Sequence, residues 1–144
     1  MKIVVCNRQT KVEFDLPWLK RFARLALTEC VKNPARENPV LPQLSEIEVS
    51  VISDAAIADV HERFMQIEGP TDVITFDHGE ILISAETACR NAARYGKSPG
   101  EELALYVIHG LLHLNGFADK HPTDAARMRR VQNRILKHCL SKYV

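Results

Sequence analysis

His109-Gly110-Leu111-Leu112-His113-Leu114-Asn115-Gly116-Phe117-Ala118-Asp119-Lys120-His121 is the stretch on which this chain turns. Leu103, Val107, Leu111 and Leu114 recur at spacings of four, four and three, which predicts a helix with one buried stripe. Glu102, Tyr106, His109 and His113 fall on a neighbouring stripe, so the helix should bury one side and show its imidazoles at the edge of a cleft. Residues four apart on a helix stand one turn above the other, close enough to share one ion. Asn115-Gly116 then reads as a helix stop, because glycine accepts the left-handed conformation that turns a chain out of a helix. The turn can bring either Asp119 or His121 back to the two imidazoles.

Neutral imidazole and carboxylate oxygen suit zinc, and three protein ligands leave a fourth position for water, the arrangement of a catalytic site. One Zn2+ ion is therefore expected, with nickel or another late transition metal as a substitute. Two histidines on a helix with a further ligand beyond a glycine turn also describe the metal helix of zincin-type peptidases. Those enzymes carry a general-base glutamate directly after the first histidine; this chain has Gly110. The glycine leaves room beside the ion for a bulky substrate or allows close helix packing.

Outward from the metal helix, local signals are clear. Ser98-Pro99-Gly100-Glu101 is a helix start: a capping serine, a proline at the first position and an acid where a capping box needs one. Upstream, Lys2–Cys6 is β-branched and predicts a strand, with Lys11–Phe14 continuing or pairing with it. Asp15 and Pro17 open a helix to about Val31, and the prolines at 34, 39 and 42 mark a loop. Ile47, Val49 and Val51 alternate along a half-buried strand, and Ser53 or Asp54 caps a helix from about Ala55 to Phe64. Asp72–Phe76 and Glu80–Ser84 flank a tight His78-Gly79 turn as a hairpin, followed by a helix to about Tyr95. Pro122 opens a last helix, with His121 or Thr123 as its cap and Met128, Val131, Ile135, Leu136 and Cys139 as its apolar stripe. The expected architecture is α+β: one domain over residues 1–144, a small mixed sheet of about four strands and about five helices, one of them a zincin-like metal helix.

Composition fits that size. The 144 residues are 46% hydrophobic and 26% charged, ordinary for one globular core. Net charge is +1, but it is unevenly spread. From Lys120 onward seven Lys or Arg face one acid, Asp124, so that segment carries +6 and residues 1–119 carry −5. A basic segment in a neutral protein can meet a polyanion. Cys6, Cys30, Cys89 and Cys139 are too far apart for a zinc cluster or a dense disulfide framework and read as reduced thiols. No run is long enough to span a membrane, and the N-terminus lacks the apolar core of a signal peptide, so a cytoplasmic protein is expected.

HGLLHLNGF at 109–117 closely resembles the HGxLHLxGY signature of the bacterial YbeY family, metal-dependent endoribonucleases of rRNA maturation. PTDVITF at 70–76 resembles the family's PTDVLSF strand, and GEILIS at 79–84 resembles its GDIxIS strand. The likeness is close over about residues 45–121; the first 44 residues match in layout. It implies a single-strand-specific endoribonuclease of rRNA processing and ribosome quality control, with rRNA or ribosomal particles as partners and a metal-activated water hydrolysing the phosphodiester.

Two positions depart from the family. Its third histidine lies ten residues after the first; here that place is Asp119, and His121 follows two residues later. Spacing selects His109, His113 and Asp119 as ligands, with His121 as the second choice, because a loop two residues longer must bulge to return to the ion. The family also has an arginine five residues before the proline of its PTD motif, for the RNA phosphate. Met65 stands there; Arg63 is the nearest substitute for substrate binding, though two residues on an ideal helix amount to about 200° of rotation. Beyond the water, no side chain is assigned a catalytic role. A zinc peptidase and a ribosome-associated RNA-binding protein with a structural metal are the alternatives.

Overall fold

The computed structural model describes residues 1–142, so the last two residues of the expected domain, 143 and 144, lie outside the described residues. The described elements, in chain order, are β1 (Lys2–Asn7), α1 (Leu16–Val31), a 3-10 turn (Leu41–Gln43), β2 (Glu46–Ile52), α2 (Asp54–Met65), β3 (Val73–Phe76), β4 (Glu80–Ser84), α3 (Ala85–Arg94), α4 (Pro99–Leu114) and α5 (Pro122–Ser141). The sheet runs β1-β2-β4-β3. Its first three strands are parallel, and β3 closes the edge antiparallel to β4, with Ile74 opposite Leu82. The architecture is the expected α+β domain with a four-stranded mixed sheet and five helices.

Side-chain caps set where the helices begin. Asp15, Ser53, Ser84 and Ser98 each accept a hydrogen bond from a backbone N–H of the following first turn. Each bond satisfies a donor that the helix itself leaves free. Between α2 and α3, Asp54 accepts from Ser84 Oγ (2.6 Å), Thr87 Oγ1 (2.7 Å) and the Arg90 guanidinium (2.7 Å).

Two expectations are corrected. Residues 11–14 form no strand. Gln9 Oε1 accepts from the backbone N–H of Lys11 and Val12, both at 2.9 Å, which curls the chain and takes those donors from any ladder. Helix α4 is also not buried on one side only. It touches α1, α3, α5, β3 and β4. Its second stripe is therefore covered too: Glu102 and Tyr106 are buried beside Leu103, Val107, Leu111 and Leu114.

The meaning of Gly110 follows from this central position. A Cβ built there would lie 2.7 Å from Ile81 Cγ2 and 2.9 Å from Ile81 Cδ1. The missing side chain lets α4 press onto β4 through Ile81. Close packing, not substrate space, accounts for the glycine.

Candidate metal centre

Both histidines stand near the C-terminal end of α4, with about a quarter of each side chain exposed (28% and 27%). The helix ends where the sequence places its stop. Gly116 takes φ +98°, its N–H reaches His113 O, and the Phe117 N–H returns to Leu112 O. Buried Asn115 ties this turn to α1, donating from Nδ2 to Cys30 O at 2.6 Å. A turn fixed in this way aims the next residues back along the helix.

Asp119 Oδ2 accordingly lies 3.3 Å from His113 Nε2 and 3.6 Å from His109 Nε2, and the two Nε2 atoms are 3.1 Å apart. A tetrahedral ion with bonds of ~2.0–2.1 Å would hold its donors ~3.3–3.4 Å from one another. Among the described residues, His109, His113 and Asp119 form the group of donors that could hold a metal ion. His121 is outside it: it is exposed at the N-cap of α5, and its side chain caps nothing. Two more residues carry the chain past the cluster and into the next helix.

Protons leave the same signature. His113 Nδ1 lies 3.0 Å from Phe117 O, and His109 Nδ1 lies 2.7 Å from Gln132 Oε1. Both oxygens only accept, so each Nδ1 carries the hydrogen and each Nε2 is left with a lone pair. The two lone pairs and a carboxylate oxygen then face one another without a hydrogen between them. Such a contact is repulsive until a cation sits in it. On His113 a proton is disfavoured, because burial, and then the neighbouring His109, lower its pKa, outweighing the pull of Asp119. The donor set therefore fits a divalent metal.

Gln132 belongs to none of the motifs in the sequence, yet it contacts the cluster. It sits at the centre of the apolar stripe of α5, four residues after Met128 and three before Ile135. An amide among apolar neighbours was the available signal. With His109, Asp119, Ala125, Met128 and Arg129 it lines a cavity of about 290 Å³. Arg63 is elsewhere: it is exposed in the last turn of α2, paired with Asp59 at 3.3 Å, and does not line this cavity. Met65, at the end of α2, is exposed as well.

The other singled-out polar groups have structural partners. Asp72 Oδ1 accepts from its neighbours Thr71 Oγ1 and Val73 N, and His61 Nδ1 meets Gly69 O at 3.0 Å. His78 stacks on Phe76 and pairs with Glu80, and His138 lies 3.6 Å from Glu29. All four cysteines are free thiols. No helix of the described residues is long and apolar enough to cross a membrane.

A family model described as Endoribonuclease YbeY matches residues 4–140. The protein of that name from Mycobacterium bovis (strain BCG) is 30% identical, with 100% of this chain and 86% of the relative covered. The one from Frankia alni is also 30% identical, over 94% of this chain and 81% of its own. The one from Mycobacterium leprae is 32% identical, over 88% and 76%. Among solved structures, the solution structure of TM1509 from Thermotoga maritima aligns with a TM-score of 0.66 over 98% of this chain and 91% of that one. At 23% identity that likeness speaks for the fold alone.

Proposed function

The chain belongs to the family of YbeY endoribonucleases, and from that premise we propose that it is a metal-dependent hydrolase of RNA that acts in rRNA maturation. The observation that carries the metal dependence is the meeting of two imidazole lone pairs and the Asp119 carboxylate with no hydrogen between them. His109, His113 and Asp119 are the ligands in this reading, and Zn2+ is the ion that best suits two imidazoles and a carboxylate. When bound, the ion supplies Lewis acidity, which acidifies water and polarises a phosphoryl oxygen.

The chain's own groups do the rest. Gln132 and the Phe117 carbonyl hold the protons on Nδ1 of the two histidines and so keep both Nε2 atoms turned inward. This is the outer-shell support that fixes ring orientation in metal sites. Asp119 adds one negative charge to the donor set, which makes the site less electrophilic than three imidazoles would be. Arg129 of α5, which lines the cavity, favours a phosphate-bearing substrate. The substrate we assign is single-stranded rRNA precursor, met on ribosomal particles in the cytoplasm.

A peptidase would need an acid beside the first histidine, and Gly110 offers only backbone pressed against Ile81. A structural metal would be closed by a fourth protein ligand, whereas three donors leave a position open.

The test is cleavage by chelated protein before and after reloading with zinc or nickel, on single-stranded and structured rRNA fragments and on casein. RNA should be cut only by the reloaded protein, with casein left intact. RNA cleavage that survives both chelation and His113→Ala overturns the reading.

A further inference from the structure

The basic residues of α5 divide into two kinds. Arg127 donates to Ala35 O and lies over the Phe117 ring, and Arg134 donates to Asn33 Oδ1. Both fasten the loop after α1. Arg129, in contrast, has no hydrogen-bond or ion-pair partner among the described residues and lines the cavity that holds His109 and Asp119.

Its position on the helix explains the direction. Ala125, Met128, Arg129 and Gln132 share one face at spacings of three and four. Gln132 on that face touches His109, and Arg129 stands about one helical turn from Gln132. Ala125 is small and leaves space beside it. The one acid of the cavity lining, Asp119, is turned to the imidazoles, and Gln132 is neutral. No ion pair joins Arg129 to that carboxylate among the described residues, so the guanidinium is left to meet a ligand. A guanidinium presents a planar fork that matches two oxygens of one phosphate. An exposed arginine also loses little hydration in reaching such a group.

We propose that Arg129 binds the non-bridging oxygens of the RNA phosphate presented to the His109–His113–Asp119 cluster. This inference rests on the reading of that cluster as an RNA hydrolase. It makes Arg129 a substrate-binding residue and gives α5 a direct part in orienting the phosphodiester.

The experiment compares the full-length protein with Arg129→Ala, Arg129→Lys and Arg130→Ala. Arg130 is the control, an exposed neighbour on the same helix that does not line the cavity. A labelled single-stranded RNA is titrated with chelated protein across about 50–200 mM salt, and cleavage is measured after zinc reloading. Arg129→Ala should bind on the order of tenfold more weakly, the loss of one charge-assisted contact. Its log–log salt slope should become shallower by about 0.7, one phosphate contact on a single strand. KM for cleavage should rise by a similar factor, with kcat changed less. Arg129→Lys should recover the slope but only part of the affinity, because lysine keeps the charge and loses the fork. Arg130→Ala should match the unmodified protein, and zinc content and melting temperature should be unchanged in all variants.

Unchanged binding and KM in Arg129→Ala overturn the assignment, as does an equal loss in Arg130→Ala, which would show a diffuse basic surface. If the unmodified protein cuts RNA and Arg129→Ala is indistinguishable from it, this inference fails while the hydrolase reading stands. If the unmodified protein cuts nothing yet Arg129→Ala loses binding and slope, the hydrolase reading fails and the phosphate contact stands.

Discussion

Gln132 Oε1 lies 2.7 Å from His109 Nδ1, so a residue of α5 decides which nitrogen of an α4 histidine faces the donor cluster. Removing that acceptor frees the ring to turn and lets its hydrogen move to Nε2. Gln132→Ala should bind zinc about 10–100-fold more weakly, the usual effect of losing such a partner. Gln132→Glu should bind more tightly, because a carboxylate accepts the same hydrogen more strongly. Competition with a chromogenic chelator measures both. Equal affinity in all three proteins would mean that the contact does not orient His109.

That contact also marks the limit of what local patterns convey. The two histidines were legible because four residues on a helix is a distance in itself. Helix starts were legible because Asp15, Ser53 and Ser98 act within their own first turn. Gln132 is 23 residues from its partner, and only the docking of α5 on α4 brings them together. Gly110 had two meanings in the sequence, and its distance to Ile81 chooses between them. Residues 11–14 follow a β-branched strand in the sequence, and Val12 and Phe14 in them are apolar. They do pack on the core, but the Gln9 side chain takes the N–H groups that a ladder would need.

Gly110→Ala sets helix propensity against packing. Alanine should return up to about 1 kcal/mol of intrinsic helix preference. Its Cβ, however, would meet Ile81 Cγ2 at 2.7 Å, and overfilling a packed core typically costs about 1–3 kcal/mol. A net loss is expected in urea unfolding of the chelated protein. Ile81→Ala alone should cost about 2–5 kcal/mol. The double variant should be more stable than the two losses added together, because the new methyl group enters the space that Ile81 vacates. Strict additivity would show that the two residues are not in contact.

Asp54 gives stability a pH dependence with a defined sign. Burial acts to raise its pKa, but hydrogen bonds from Ser84, Arg90 and Thr87 and the charge of Arg90 together bring it below the ordinary carboxylate value. A depressed folded-state pKa stabilises the fold above the unfolded value of about 3.9 and ceases to do so as pH falls through the folded one. Urea midpoints of chelated protein should therefore fall on acidification below about pH 4, and Asp54→Asn should flatten that part of the curve. Arg90→Ala should flatten it less, since the two hydroxyl donors remain. An identical acid limb in Asp54→Asn would assign the effect to other carboxylates.

Asp119 and His121 are separated by a direct measurement of metal affinity. Asp119 Oδ2 lies 3.3 Å and 3.6 Å from the two Nε2 atoms, close to the spacing of donors around a tetrahedral ion. His121 sits exposed at the start of α5 with no capping bond to lose. Asp119→Ala should therefore reduce zinc affinity by at least the 10–100-fold expected of an outer-shell change, since it removes a donor itself. His121→Ala should leave zinc binding and melting temperature unchanged. Asp119→His should still bind zinc, because imidazole is as good a donor at a similar bond length. It would also remove one negative charge from the site, which should lower the pKa of any water on the ion and move the rate profile of RNA cleavage to lower pH. If His121→Ala loses the metal while Asp119→Ala keeps it, the turn after Gly116 closes on the ion two residues later than the cluster indicates.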